Sequence, residues 1–184
     1  ALMALAVLVW ARAERPLILV AAEGDAVGIL TDAGRVPSKP RGGSFAVSNW
    51  LEADGDPADQ AMAANRPLWS GEASARSAQL AYGDRKLTIH HLTGKNGLAA
   101  LPQRCTKDAI VVIDQRVAPA PKGGCLLFDM RSLRQTGAVA FVASPSGLDT
   151  VPTDFPLAAR LWSMSDRRVE FSDRLRRKRI SKVE

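Results

Sequence analysis

The residues with most chemistry to offer are two adjacent histidines, His90 and His91, at the end of Leu87-Thr88-Ile89; the chain has no others. A two-metal hydrolytic site needs four or more convergent His and Asp ligands. Neighbours along a strand point to opposite faces, so one strand cannot easily turn both imidazoles onto one ion. Asp108 and Asp114 bracket the run Ala109-Ile110-Val111-Val112-Ile113. They read as strand terminators; in a rival reading they join His90 as the ligands of a metal-dependent phosphodiesterase. The expectation is no catalytic residue, no metal ligand and no cofactor.

Other motifs fall short in the same way. Gly94-Lys95 suggests a phosphate loop, but that motif needs Gly where Ile89 stands and Ser or Thr where Asn96 stands. Asp54-Gly55-Asp56-Pro57-Ala58-Asp59 has acids near a calcium loop's spacing, yet it lacks the oxygen ligand at Ala58 and the closing glutamate. Helix capping explains it better. No Gly-x-Ser-x-Gly elbow is present. Cys105 and Cys125 cannot complete a zinc site with so few histidines; they are either one disulfide or two inert core thiols.

Nucleic-acid contact is the one positive function the residues suggest. Trp50 and Trp162 lie in apolar settings, which leaves Trp69 as a stacking platform for single strands. Arg76, Arg85, Lys86 and Lys95 would flank a groove near His90 and His91. The competing reading is a scattered, solvated surface.

These residues need elements to hold them. With 184 residues, 46% hydrophobic and 24% charged, the chain suits one globular domain. Of the formal charge of +6, +4 falls between Asp166 and Glu184, so the basicity describes a tail more than a face. Ala1–Ala11 is unbroken apolar sequence ending at Arg12-Ala13-Glu14-Arg15-Pro16, which reads as the last turns of a membrane helix with Trp10 at interface height. Leu17–Ala22 and Ala26–Thr31 read as a hairpin, Ser44–Val47 as a short strand, and Asp56-Pro57 as a helix start. Residues 66–77 read as loop, and Ala78–Tyr82 with Lys86–Leu92 as a second hairpin. Residues 94–97 are another loop, followed by a brief helix over Leu98–Arg104. Ala109–Ile113 is a strand covered on both faces. Cys125–Phe128, a helix Met130–Thr136 between Asp129 and Gly137, and Ala138–Ala143 complete a layered α/β order.

The stretch Lys86–Val151 resembles the metallo-β-lactamase-like domain of ComEC-type competence channel proteins, inner-membrane proteins that pass single-stranded DNA into the cell. The resemblance rests on His90-His91-Leu92-Thr93, Asp108-Ala109-Ile110-Val111-Val112, Leu133-Arg134-Gln135-Thr136-Gly137-Ala138, and Gly147 after the next strand. Trp10 to Pro16, Trp50-Leu51, Asp54-Gly55-Asp56 and the pair Cys105, Cys125 are similar to a proteobacterial subgroup whose domain follows the last membrane helix and lacks the metal motif. Here His-x-His-x-Asp-His is absent, and Leu92-Thr93 replaces the Gly-Ser after the paired histidines. The resemblance implies a degenerate, non-catalytic domain over residues 16–162, preceded by a membrane-helix end over 1–15 and followed by a basic tail over 163–184. It implies the rest of the channel, the inner membrane and single-stranded DNA as partners, a periplasmic placement, and cysteines that could be oxidised there. The arginines flanking the apolar run argue for the opposite side.

Overall fold

The computed structural model describes Met3 and residues 15–82, 85–144 and 147–153, with Tyr82 and Arg85 described by their backbone. Apart from Met3, the apolar run, with Trp10, lies outside the described residues, as do Trp162 and the basic tail. Among those described, no helix is long and apolar enough to cross a membrane.

Two five-stranded sheets carry the domain. The first has strand order β10-β9-β1-β2-β3, from β1 (Ile18–Val20), β2 (Val27–Thr31), β3 (Gly34–Pro37), β9 (Val139–Ser144) and β10 (Gly147–Pro152), all antiparallel. The second has order β4-β5-β6-β7-β8, from β4 (Ser70–Glu72), β5 (Ala75–Tyr82), β6 (Arg85–Leu92), β7 (Ala109–Ile113) and β8 (Leu126–Phe128). Here β6, β7 and β8 pair in parallel, and β4, β5 and β6 antiparallel. Helices α1 (Ser44–Asp54), α2 (Gln60–Ala64), α3 (Gly94–Arg104) and α4 (Met130–Thr136) complete the α/β order.

The sheets pack face to face. Ile18, Val20, Val27, Ile29, Val139 and Phe141 of the first bury against Ala78, Ile89, Ile110, Val112 and Phe128 of the second. Phe128 and Phe141 meet edge to face across the seam, ring centroids 5.7 Å apart, a favoured aromatic geometry. The outer faces are covered by helices. Val47, Leu51 and Ala63 of α1 and α2 pack with Ala21 and Ala26, while Leu101 and Cys105 at the end of α3 pack with Leu92, Val111 and Ile113. β7 is therefore buried along its whole length, as its apolar run requires.

Local chemistry explains where expectation and structure part. Ser44–Val47 is not a strand but the first turn of α1. Val47, Trp50 and Leu51 recur at helical spacing and face the sheet. The helix stops at Gly55, whose left-handed φ of 71° lets its N–H return to the carbonyls of Glu52 and Leu51. The next helix does not start at Asp56-Pro57. Asp56 is held by the Arg66 guanidinium, which keeps its carboxyl below the usual range, and Asp59 caps α2 through the Met62 N–H at 2.8 Å. Residues 66–77 are not all loop, since β4 and the start of β5 lie there, and residues 94–97 form the first turn of α3. Asp129 caps α4 in a reciprocal box with Ser132, and Gly137 ends that helix.

Two linkages fasten the outer layers. Arg35, on the outer face of β3 and 1% exposed, donates from Nε to Asp54 Oδ2 at 2.6 Å and from Nη2 to the Pro16 carbonyl at 3.1 Å. This ties the end of α1 to the sheet and to the chain entering β1. On the other side, a disulfide joins Cys105 at the end of α3 to Cys125 before β8.

Arg35→Met leaves the Asp54 carboxylate buried without its cation, so urea denaturation should show a loss of about 3–5 kcal/mol. Combining it with Asp54→Leu should restore much of that loss. Replacing both cysteines by alanine opens a cross-link with a sequence separation of 20, and the same assay should show about 3 kcal/mol less stability.

Candidate functional site at one end of the inter-sheet seam

The β1–β2 turn and the ends of β3, β6 and β7 meet at one end of the seam between the sheets. β6 delivers the paired histidines there, and the strand's alternation sends them apart. His90 lies on the outer face under α3, where its Nδ1 meets the Ser77 hydroxyl at 2.8 Å. Burial, and then the charge of Arg104, push its pKa below the ordinary value. His91 lies on the inner face, fully buried, with Nε2 at 3.1 Å from the Gly24 carbonyl.

That single bond fixes the protonation of His91. A carbonyl oxygen only accepts, so Nε2 carries the proton. Burial, and then the charge of Lys39, hold the imidazole neutral, with its pKa pushed down to about 4 against the opposing pull of Gly24 and Asp114. Nδ1 therefore presents a bare lone pair. Gly24 makes the contact possible: its φ is 70°, and a Cβ there would lie 2.9 Å from Leu133 Cδ1.

Around His91 the fold gathers groups from several elements. Arg76 of β5 is its cross-strand partner and lies on the same sheet face. Asp25 follows Gly24, and a Cβ on Gly43 would lie 3.1 Å from Asp25 Oδ1, which places the start of α1 beside the turn. Lys39 follows Ser38, whose hydroxyl accepts the Val27 N–H at 3.2 Å. Asp114, just past β7, accepts the Gly94 N–H at 2.7 Å and so anchors the start of α3.

The residues expected to contact DNA therefore do not form one groove beside His90. Arg76 and His91 come together. Lys95 is exposed on the first turn of α3, tied to the same end through Gly94 and Asp114. Arg85 and Lys86 stand at the opposite end of β6; Lys86 lies five positions before His91, roughly 17 Å along a strand. Trp69 is partly buried against the core and donates its indole N–H to the Val36 carbonyl at 3.1 Å, so it packs rather than presents a free face. The ligand set of the rival reading does not converge either. Asp108 and Asp114 lie at opposite ends of β7, and His90 is on the outer face. Among the described residues, no three His, Cys, Asp or Glu form a group able to hold a metal ion.

Sequence reasoning missed Lys39, Asp25 and Phe45. Phe45, in the first turn of α1, is 85% exposed, and exposed Arg41 lies in the loop before that helix. Residues 38–43 show their Pro and paired Gly as loop signals, but nothing local says which strand ends that loop will meet.

The fold holds His91 neutral, whereas the unfolded chain protonates near 6.5. Between that pH and about 4 the unfolded state binds the extra proton, so stability falls as pH falls, by about 3 kcal/mol in all. Urea midpoints measured down that range should drop steeply for the native chain and less steeply for His91→Gln. Compared with known protein families, curated proteins and solved structures, the chain has no match.

Proposed function

We propose that this chain is a non-catalytic, metallo-β-lactamase-like domain of a ComEC-type DNA-uptake channel, held at the inner membrane by the segment before Pro16 and facing the periplasm. Its role in this reading is to guide single-stranded DNA toward the channel. The observation that carries the proposal is the seam end. Two sheets face to face with helices outside agree with the layered sheet-and-helix domain that the resemblance implies. At the paired-histidine position, however, His91 spends its Nε2 proton on a backbone carbonyl and has Arg76 beside it.

The same end offers what a single strand needs. Lys39 and Arg41 supply positive charge for phosphates, and Phe45, two residues past Gly43, supplies an open aromatic face. The buried Cys105–Cys125 disulfide agrees with an oxidising compartment.

Fluorescence anisotropy with a short labelled single strand should show binding that weakens steeply as salt rises, because each phosphate contact releases counterions. Phe45→Ala should lower that affinity by about tenfold, given the roughly 1–3 kcal/mol of a base–aromatic stack, while leaving the thermal midpoint unchanged. Stoichiometric zinc or manganese by mass spectrometry, together with DNA degradation, would replace this reading with a metal-dependent phosphodiesterase.

A further inference from the structure

The outer edges of the two sheets are not alike. β4 and β8 are only 3 residues long each. On β3 the Ser38 N–H reaches the Val27 carbonyl, so Val36 and Gly34 bond to β2 while Arg35 and Pro37 turn their backbone groups outward. That edge is closed: Arg66 donates to the Arg35 carbonyl at 2.9 Å, and Pro37 has no N–H to offer. β10 differs. It is 6 residues long, pairs with β9 without a bulge and carries no lysine. Apart from Pro152 at its end, it lacks the devices by which an edge refuses a further strand.

The pairing fixes what this edge presents. The Thr153 N–H reaches the Ala138 carbonyl at 2.8 Å. Bonded residues alternate along an antiparallel pair, so Val151, Asp149 and Gly147 also face β9. Leu148 and Thr150 therefore turn both N–H and C=O outward, joined by the Pro152 carbonyl. Among the described residues, nothing bonds to that row. The side chains alternate in step. Leu148 and Pro152 are buried on the inner face, whereas Asp149 and Val151 stand exposed on the outer one, Val151 at 47%. Asp149 is the strand's only charged residue.

We infer that β10 is the docking edge for an extended segment of a partner protein, which joins the sheet as a further antiparallel strand. The segment exchanges backbone bonds with Leu148 and Thr150 and donates one N–H to Pro152. Side chains lie closest at the pairs that share no backbone bond. The residue opposite Asp149 is therefore Lys or Arg, and the one opposite Val151 is apolar. A second copy of β10 offers Asp149 no cation in any register, since the strand has none. The inference goes beyond DNA contact and does not rest on it.

The test is amide hydrogen exchange, read by NMR on the intact chain with and without a capped peptide, Thr-Val-Thr-Lys-Val-Thr. Without peptide, the Asp149 and Val151 amides should be protected while those of Leu148 and Thr150 exchange openly. Millimolar peptide should protect Leu148 and Thr150. It should bind about fivefold more tightly than the same peptide with Glu in place of Lys, and Asp149→Lys should reverse that order. Thr150→Pro removes only an outward donor, so it should weaken peptide binding by about tenfold with the thermal midpoint unchanged. Val151→Pro, which breaks a bond to β9, should lower that midpoint. Protection of Leu148 and Thr150 without peptide overturns the inference. At every chain concentration it means that the chain covers its own edge, and only at high concentration that a second copy does. Amides left open by the peptide, or a Thr150→Pro chain that binds it as well as the native one, overturn it equally.

Discussion

The inner faces of the two sheets leave water against each other. Phe128, on the edge strand of one sheet, and Phe141 of the other meet edge to face in that contact, with branched aliphatic side chains filling the rest. Burial of apolar area is the main favourable term in such a layer, at roughly 25 cal/mol per Å². Once the inner faces are committed, every other choice narrows. The outer faces need helices, and helices need fastening, which the Arg35–Asp54 pair and the Cys105–Cys125 bond provide. Groups that carry charge are driven to the ends of the seam, because its middle has no partner to give them.

The histidine pair shows how strictly the layers sort chemistry. One residue along β6 changes the surroundings completely: His90 meets a hydroxyl beneath a helix, and His91 meets a carbonyl between two sheets. Adjacent residues of the same type thus meet different partners in different layers. The cations that neighbour His91 come from one strand and a loop, so the electrostatics of the site belong to the topology more than to any motif.

What the sequence could reveal was what adjacent residues decide among themselves. Asp129 with Ser132, and Gly137 at the far end of α4, are a cap and a stop that need no tertiary partner. The β1–β2 and β5–β6 hairpins announce themselves by turn residues between apolar runs, and β7 by its unbroken β-branched character. Misjudged segments had their decisive partner elsewhere. Asp56-Pro57 has every local mark of a helix start, but Arg66 claims the carboxylate. Ser44–Val47 is too short for its period to show, and only contact with Ala21 and Ala26 identifies its buried face. The candidate site was half legible for the same reason. His91 and Arg76 were named from residue type, but their pairing depends on strand register, and Lys39 and Asp25 join them through turns that pattern alone cannot aim.

Strand direction in the first sheet gives the molecule a polarity. β1 and β10 both run antiparallel to β9 and therefore point the same way; Ile18 and Thr150 both align with Phe141, and Val20 and Pro152 with Val139. The backbone thus enters at the pole below Ile18 and leaves past Pro152 at the other, where the β1–β2 turn and His91 are found. Anything that grips the molecule ahead of Pro16 holds it by its base. The charged mouth then looks outward, and whatever chain continues from Thr153 departs from beside it.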